Sequence, residues 1–342
     1  AIKTLYHILK QASMTMQKII KTEILGQDLK SIQKASNFLI NDELVSFPTE
    51  TVYGLGASAM SNTGVAKIFA AKGRPKYNPL IIHIANKKDV HNWAFVPQEA
   101  ERLIEDFWPG PLTLVLNKKK SDKSIASLVT GNLKTIAIRL PLHPVARALI
   151  KNFGCPIAAP SANISGRISP TRSKDVLSNM NGKIAALIEG DNCSVGLEST
   201  IISFSSSEPI LLRPGGLSIE SIEAKLGRPL LNVQKSAPKS RKIFAPGMMQ
   251  SHYAPNSKLK LNETNSKTDE LFLGFGDMPK DAQGLNLSTT GNLKEAATNF
   301  FGTLTDIDTM AALMNISTIC VAPIPNVGLG IAINDRLKRA AY

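Results

Sequence analysis

The side chains best suited to chemistry fall in short polar segments beside apolar runs. Phe47-Pro-Thr-Glu-Thr-Val-Tyr-Gly-Leu-Gly56 sets hydroxyls, a carboxylate and two glycines at the end of a strand-like run. Such strand-end loops are where α/β proteins bind ligands; the alternative is a glycine-rich turn entering a helix. Lys72-Gly-Arg-Pro-Lys-Tyr-Asn-Pro79 gathers three cations and an amide, fit either to clamp phosphates or to form a solvated loop. His83 stands among Leu80, Ile81, Ile82 and Ile84, as a satisfied core residue or as a reader of a substrate carboxylate or hydroxyl. Arg139 closes the apolar run Thr135-Ile-Ala-Ile-Arg-Leu-Pro141 and demands an anion there, for which Glu50, Glu198 or a ligand carboxylate would serve. Ala158-Ala-Pro-Ser-Ala-Asn-Ile-Ser165, Glu198-Ser-Thr-Ile-Ile202 and Leu212-Arg-Pro-Gly-Gly216 add small residues, hydroxyls and one more cation. Polar segments repeated at strand ends converge on a single anion-binding cleft.

None of these segments pairs a nucleophile with a base. There is no Ser-His-Asp or Cys-His set in a recognisable context, no His-Glu-x-x-His, no Gly-x-Gly-x-x-Gly, and no Lys after Gly56 to make a phosphate-binding loop. The chemistry such a cleft supports is positioning and charge stabilisation.

The elements that must hold these residues follow from periodicity. Apolar spacing predicts helices over 29–40, 62–71, 99–107, 144–151 and 219–226. Branched apolar runs predict strands over 44–47, 79–85, 112–116, 135–140, 156–159, 185–188, 199–204 and 210–212. Together they make one α/β domain over 18–226. From Gly227 to Lys258 periodicity fails and Pro229, Pro238, Pro246 and Pro255 intervene, so 227–258 reads as a linker that can lie over the cleft mouth as a lid. Residues 259–342 then predict a small Rossmann-like α/β domain, with strands at 271–275 and 318–322 and helices at 293–314 and 331–340. Residues 1–17 are expected to be an N-terminal extension, with Met14 or Met16 as the natural start.

Composition excludes several classes. With 342 residues, 43% hydrophobic and 20% charged, the chain is neither a disordered tail nor a fibre, and no apolar run approaches the roughly 20 residues that span a bilayer. Its three cysteines are far apart and never spaced Cys-x-x-Cys, which fits a reducing cytoplasm better than a disulfide framework or a zinc site. Forty Lys and Arg against 27 Asp and Glu leave a charge of +13, which suits a polyanionic partner without choosing between nucleotide and nucleic acid.

Taken in order, the segments 47–56, 72–80, Trp-Pro-Gly-Pro-Leu-Thr at 108–113, Arg-x-Pro at 139–141, Ala-Pro-Ser-Ala-Asn at 159–163, Glu-Ser-Thr-Ile at 198–201 and Leu-Arg-Pro-Gly at 212–215 resemble the YrdC-like threonylcarbamoyl-AMP synthases. His252-Tyr-Ala-Pro255 and the C-terminal segment look like the long, two-domain form. The resemblance implies a twisted mixed-sheet domain followed by the linker and small domain. It implies L-threonine, bicarbonate and ATP as substrates, with Mg2+ accompanying the ATP, in the first step toward N6-threonylcarbamoyladenosine at position 37 of tRNA. By the same resemblance Thr49, His83, Arg139, Ala159 and Ser199 would surround threonine. Lys72, Arg74, Asn78, Thr135, Ser161, Asn163, Ser169, Arg213 and Tyr253 would hold ATP, with Lys72 and Arg74 favoured for charge stabilisation. No metal ligands are assigned. Downstream partners would be the threonylcarbamoyl-transferase machinery, with a weak tRNA contact. The alternative from another class is a double-stranded RNA-binding module without nucleotide chemistry, which would bind RNA in a strongly salt-dependent way.

Overall fold

The computed structural model describes residues 20–75, 78–119, 124–232 and 252–342. The expected N-terminal extension lies outside them, as does most of the expected lid.

The first unit is built on strands β1 (Glu23–Leu25), β2 (Val45–Phe47), β3 (Gly54–Ser58), β4 (Ile81–His83), β5 (Ala94–Phe95), β6 (Leu112–Lys118), β7 (Thr135–Arg139), β8 (Ile157–Ala158), β9 (Ala186–Ile188), β10 (Thr200–Ser203), β11 (Ile210–Arg213) and β12 (Leu231–Asn232). They form one mixed sheet in the order β1-β9-β2-β3-β8-β4-β7-β6-β10-β11-β12, with β5 paired to β6. Helices α1 (Leu29–Ile40), α2 (Asn62–Lys72), α3 (Gln98–Phe107), α4 (Ser127–Thr130), α5 (Pro144–Phe153), α6 (Ser173–Met180) and α7 (Ile219–Leu226) pack around it. Helix α1 starts where the Asp28 carboxylate accepts the amides of Lys30 and Ser31 at 3.0 and 3.1 Å, and its apolar stripe buries Ile32, Ala35 and Leu39.

The sheet's last strand lies beyond residue 226, in the stretch read as linker. The second difference bears on the site. Residues 54–56, expected to be part of a loop, open strand β3, which runs antiparallel to β2 in register Phe47 with Gly54 and Val45 with Gly56. Glycine is required at 56 because a Cβ there would lie 2.7 Å from the Phe47 ring and 2.9 Å from Ile157. The polar residues Thr49 to Thr51 therefore sit at the tip of a β2–β3 hairpin. The sheet is thus pinned on both sides of the tip.

The second unit is a parallel four-stranded sheet in the order β13-β16-β14-β15, from β13 (Lys258–Leu261), β14 (Leu271–Gly274), β15 (Gly284–Asn286) and β16 (Thr318–Val321). Helices α8 (Leu293–Leu313) and α9 (Leu329–Ala340) pack on it, burying Phe300, Phe301, Leu304, Ile307, Ile333 and Leu337 against Leu259, Leu271, Leu273, Ile319 and Val321. Val52 and Leu197 of the first unit join this same core, so the small domain is docked on the loops that carry the candidate site. Gly196, at φ +72°, permits the approach: a Cβ would lie 2.3 Å from the Ala297 carbonyl of α8. Arg172 locks the interface by donating to both carboxylate oxygens of Asp306 at 2.6 and 2.9 Å and to the Gly302 carbonyl at 3.1 Å.

Candidate functional site

A cleft at one end of the large sheet is lined by Thr49, Arg74, His83, Arg139, Ala159, Ser161, Glu198, Ser199, Arg213, His252 and Tyr253, among others. Strand register explains the grouping. His83 pairs with Arg139 across β4 and β7, so both project to the same face of the sheet, and by two-residue alternation Ala137 and Thr135 share that face. Strand β10 follows Ser199, and β11 ends at Arg213.

Arg139 is anchored from three sides. Its Nη2 donates to Glu50 Oε1 at 2.5 Å, Nη1 to Thr51 Oγ1 at 2.8 Å and Nε to the Gly110 carbonyl at 3.2 Å. Of the three candidate partners, Glu50 is therefore the protein counter-ion. Two guanidinium N–H groups remain for a ligand carboxylate, since arginine has five. The Thr49 hydroxyl staples its own turn, donating to the Val52 carbonyl at 2.7 Å. Ser199 Oγ lies 2.7 Å from Thr113 Oγ1 and accepts from Arg213 Nη2 at 3.2 Å. His83 keeps its Nδ1 unpartnered while its ring meets Phe47 edge-on at 6.5 Å.

Among the expected nucleotide residues the picture divides. Arg74, Ser161, Arg213 and Tyr253 line the cleft. Lys72 does not line it. Its ammonium donates to the carbonyls of Ser161 and Asn163 at 2.6 and 2.5 Å, tying α2 to the Ala-Pro-Ser-Ala-Asn loop. Burial first, then Arg74, hold its pKa well below the usual lysine value. Arg74 donates to the Asn78 and Pro79 carbonyls at 3.3 and 3.0 Å, and Asn78 keeps both side-chain polar atoms buried without a partner. Ser169 donates to Glu198 at 2.7 Å, and Asn163 bonds the Ile164 and Arg167 carbonyls. Thr135 lies at the far end of β7 from Arg139, beyond an apolar cluster of Ile81, Val115, Ala137, Ile201 and Leu212.

Three residues that the sequence did not single out complete the site. Gly110 backs Arg139, Thr113 backs Ser199, and Arg336 of α9 reaches in from the small domain to Glu198. The first two stood inside the Trp-Pro-Gly-Pro-Leu-Thr segment, so a signal existed. Arg336 had none, because nothing in a helix near a chain's end indicates a contact 138 residues back.

Buried polar atoms without a protein partner concentrate here: both Asn78 atoms, His83 Nδ1, His252 Nδ1, the Tyr253 hydroxyl and Arg336 Nη2. Native interiors rarely leave such groups unpaired, and a polar ligand would satisfy them. Burial, then Arg139, depresses His83 to about 3; burial likewise lowers His252 to about 3, despite Glu198 nearby. Both imidazoles are neutral at pH 7. Because the folded values lie below the ordinary 6.5, the unfolded chain binds more protons between them. The two histidines' contribution to stability is therefore complete above pH 6.5 and lost as pH falls toward 3, by up to about 1.4 kcal/mol per group per pH unit. Denaturant unfolding at pH 7.5, 6 and 5 should show this fall, and His83→Gln should make it shallower; an equal slope in the variant would contradict the assignment.

A family profile described as "Telomere recombination", grouping Sua5, YciO and YrdC, matches residues 37–215, and one described as "Threonylcarbamoyl-AMP synthase, C-terminal domain" matches 217–342. A threonylcarbamoyl-AMP synthase of Bacillus subtilis is 37% identical over 336 residues, covering 94% of this chain and 95% of its own. One from Pyrococcus abyssi is 39% identical over 325 residues, covering 91% and 94%. The crystal structure of P. abyssi Sua5 complexed with L-threonine superposes with a TM-score of 0.84 at 37% identity, covering 94% of this chain and 97% of that one.

Proposed function

This chain belongs to the YrdC-like threonylcarbamoyl-AMP synthase family in its two-domain form, and we propose that its cleft joins L-threonine, bicarbonate and ATP into L-threonylcarbamoyl-AMP and pyrophosphate. It is an enzyme of nucleotidyl transfer serving threonylcarbamoyladenosine formation in tRNA. The double-stranded RNA-binding alternative finds no support in the relatives, which are named as synthases.

One observation carries the assignment of the cleft: Arg139, His83, Ser199, Arg74 and Arg213 line one cleft, and the face of β7 that carries Arg139 continues through the apolar cluster around Ala137 to Thr135. The Arg139–His83–Ser199 corner suits an amino acid, with Arg139 taking the carboxylate through its remaining N–H groups and neutral His83 meeting the hydroxyl. The guanidinia suit a triphosphate, and the apolar cluster suits the adenine ring. The threonine amine takes up bicarbonate as a carbamate with loss of water. A carbamate oxygen then attacks the α-phosphorus and pyrophosphate leaves. Arg74 and Arg213 face the charge that develops on the leaving group. His252 and Tyr253 form the wall that screens the carbamate from water.

Magnesium was expected with the nucleotide. Glu50 and Glu198 are each committed to an arginine, and the described residues hold no group of three His, Cys, Asp or Glu fit for a metal. Among the described residues, side chains alone thus do not build a metal site. No helix of the described residues is long and apolar enough to cross a membrane. We place the enzyme in the cytoplasm, upstream of the threonylcarbamoyl transferase and in weak contact with tRNA.

Incubation with labelled bicarbonate, threonine and ATP should yield a threonylcarbamoyl adenylate and pyrophosphate. Valine should support pyrophosphate release at least 100-fold less well, because a site built to bond a hydroxyl leaves its polar groups unpaired against the isostere. Equal release with valine would remove His83 and Thr49 from the threonine corner.

A further inference from the structure

Ser199 lines the cleft with Arg139 and His83, and what its hydroxyl can do there is decided behind it. Its Oγ accepts from Arg213 Nη2 at 3.2 Å and lies 2.7 Å from Thr113 Oγ1. Distance alone leaves the second bond open to either direction, since each hydroxyl has one proton and two lone pairs. Burial decides it. Thr113 is 0% exposed on β6, and among the described residues Ser199 Oγ is the single partner of its hydroxyl. Were Ser199 the donor, the Thr113 proton would be buried with no acceptor, at the full desolvation cost of that group. With Thr113 as donor, both lone pairs of Ser199 are occupied and its own proton is left over at the cleft, where a ligand oxygen can take it.

The sheet puts Thr113 in place. Val115 pairs with Ala137 across β6 and β7, so Thr113, two residues before Val115, stands on the face that carries Arg139, two residues after Ala137. The same Trp-Pro-Gly-Pro-Leu-Thr segment supplies the Gly110 carbonyl that accepts from Arg139 Nε at 3.2 Å. One segment thus braces a guanidinium and a hydroxyl for the same corner.

We propose that Thr113 is a positioning residue: by donating to Ser199 it makes the Ser199 hydroxyl an obligate donor, aimed at an anionic oxygen of the substrate. Ser199 then has no lone pair to accept from the threonine amine or hydroxyl. This rests on the reading of the corner as the amino-acid site. In that reaction the oxygen has two sources, the threonine carboxylate and the carbamate made from bicarbonate, and both offer acceptors only.

The test uses the full chain carrying Thr113→Val, Thr113→Ser, Ser199→Ala or Thr113→Val/Ser199→Ala, with threonine, bicarbonate and ATP varied separately. Valine keeps the branched shape and suits a strand, so T113V removes the proton and little else. S199A should lower kcat/KM for threonine about thirtyfold, the loss expected for a hydrogen bond to a charged group. T113V should lower it about tenfold while the KM for ATP stays within about twofold, and T113S, which keeps the donor, should stay within about twofold of the parent. Because Thr113 acts through Ser199, adding T113V to S199A should cost less than about twofold more, a coupling that a residue serving only the fold would not show. Calorimetry with threonine alone separates the sources. Weaker binding in T113V assigns the oxygen to the carboxylate; unchanged binding with a raised KM for bicarbonate assigns it to the carbamate. Should T113V fail to fold, T113C, whose thiol donates weakly, replaces it in the same comparison. Losses that add in the double variant, a T113S as impaired as T113V, or a T113V with parental threonine and bicarbonate kinetics would overturn the proposal. A parent protein without threonine-dependent and ATP-dependent product would instead overturn the assignment of the cleft.

Discussion

Arg139→Ala is expected to lower kcat/KM for threonine by at least a thousandfold, the largest effect of any single substitution considered. Two costs combine. The ligand carboxylate loses its bidentate donor, and Glu50, 2% exposed, is left as a buried carboxylate without its cation. Removing one partner of a buried pair costs about 3–5 kcal/mol, so the variant should also melt earlier. The two effects separate in Arg139→Ala/Glu50→Gln, where the orphan charge is gone. Its melting temperature should recover most of the loss while threonine affinity, read by calorimetry, stays abolished and ATP affinity changes little. Recovery of activity in the double variant would make Arg139 a scaffold for the hairpin tip and no more. The parallel expectation for phosphate shifts from Lys72 to Arg74. The Lys72 ammonium is spent on two backbone carbonyls, so Lys72→Ala should loosen the 159–163 loop and weaken both substrates together, whereas Arg74→Ala should weaken ATP selectively.

A chain ending at Gly227 is expected to fold and to lose product formation at least a hundredfold. It should fold because the first unit's buried clusters are drawn from its own residues, from Leu25 to Leu226. It should fail in catalysis because His252 and Tyr253 of the cleft wall go with the removed part, as does the arginine on Glu198, and Val52 and Leu197 lose their covering. Full activity in the shortened chain would leave the wall and the small domain without a chemical role. Within the intact chain the wall is best tested by Tyr253→Phe. Tyr253→Ala is a poorer test because it lowers the melting temperature as well: the ring is fully buried, 5.4 Å from that of Phe301, and its truncation opens a cavity worth about 3–5 kcal/mol. The residue sits at φ +65°, a conformation uncommon for a bulky side chain, and is held there from both sides. The Ala254 amide donates to the Gly166 carbonyl of the first unit, and the His252 amide to the Arg339 carbonyl of the second.

What was legible in the chain was local. Helices α1 and α7 have the bounds their apolar spacing predicts, because a 3.6-residue stripe and a capping residue are written in adjacent positions. The polar segments at strand ends were legible too, and they announce Arg139, His83, Ser199 and Arg213 as neighbours of one cleft. Pairing across the fold was not. Strand β3 escaped because its glycines carry no alternating pattern; they are there to admit the Phe47 ring, a fact of packing. The choice of Glu50 among the three candidate partners of Arg139, the two carbonyls that absorb Lys72 and the arginine on Glu198 are contacts made 89, 89 and 91, and 138 residues away along the chain. Periodicity reports which face of an element is buried, whereas which charge meets which is decided only when the sheet closes and the small domain docks. At that point desolvation forces every buried cation to find its acceptor.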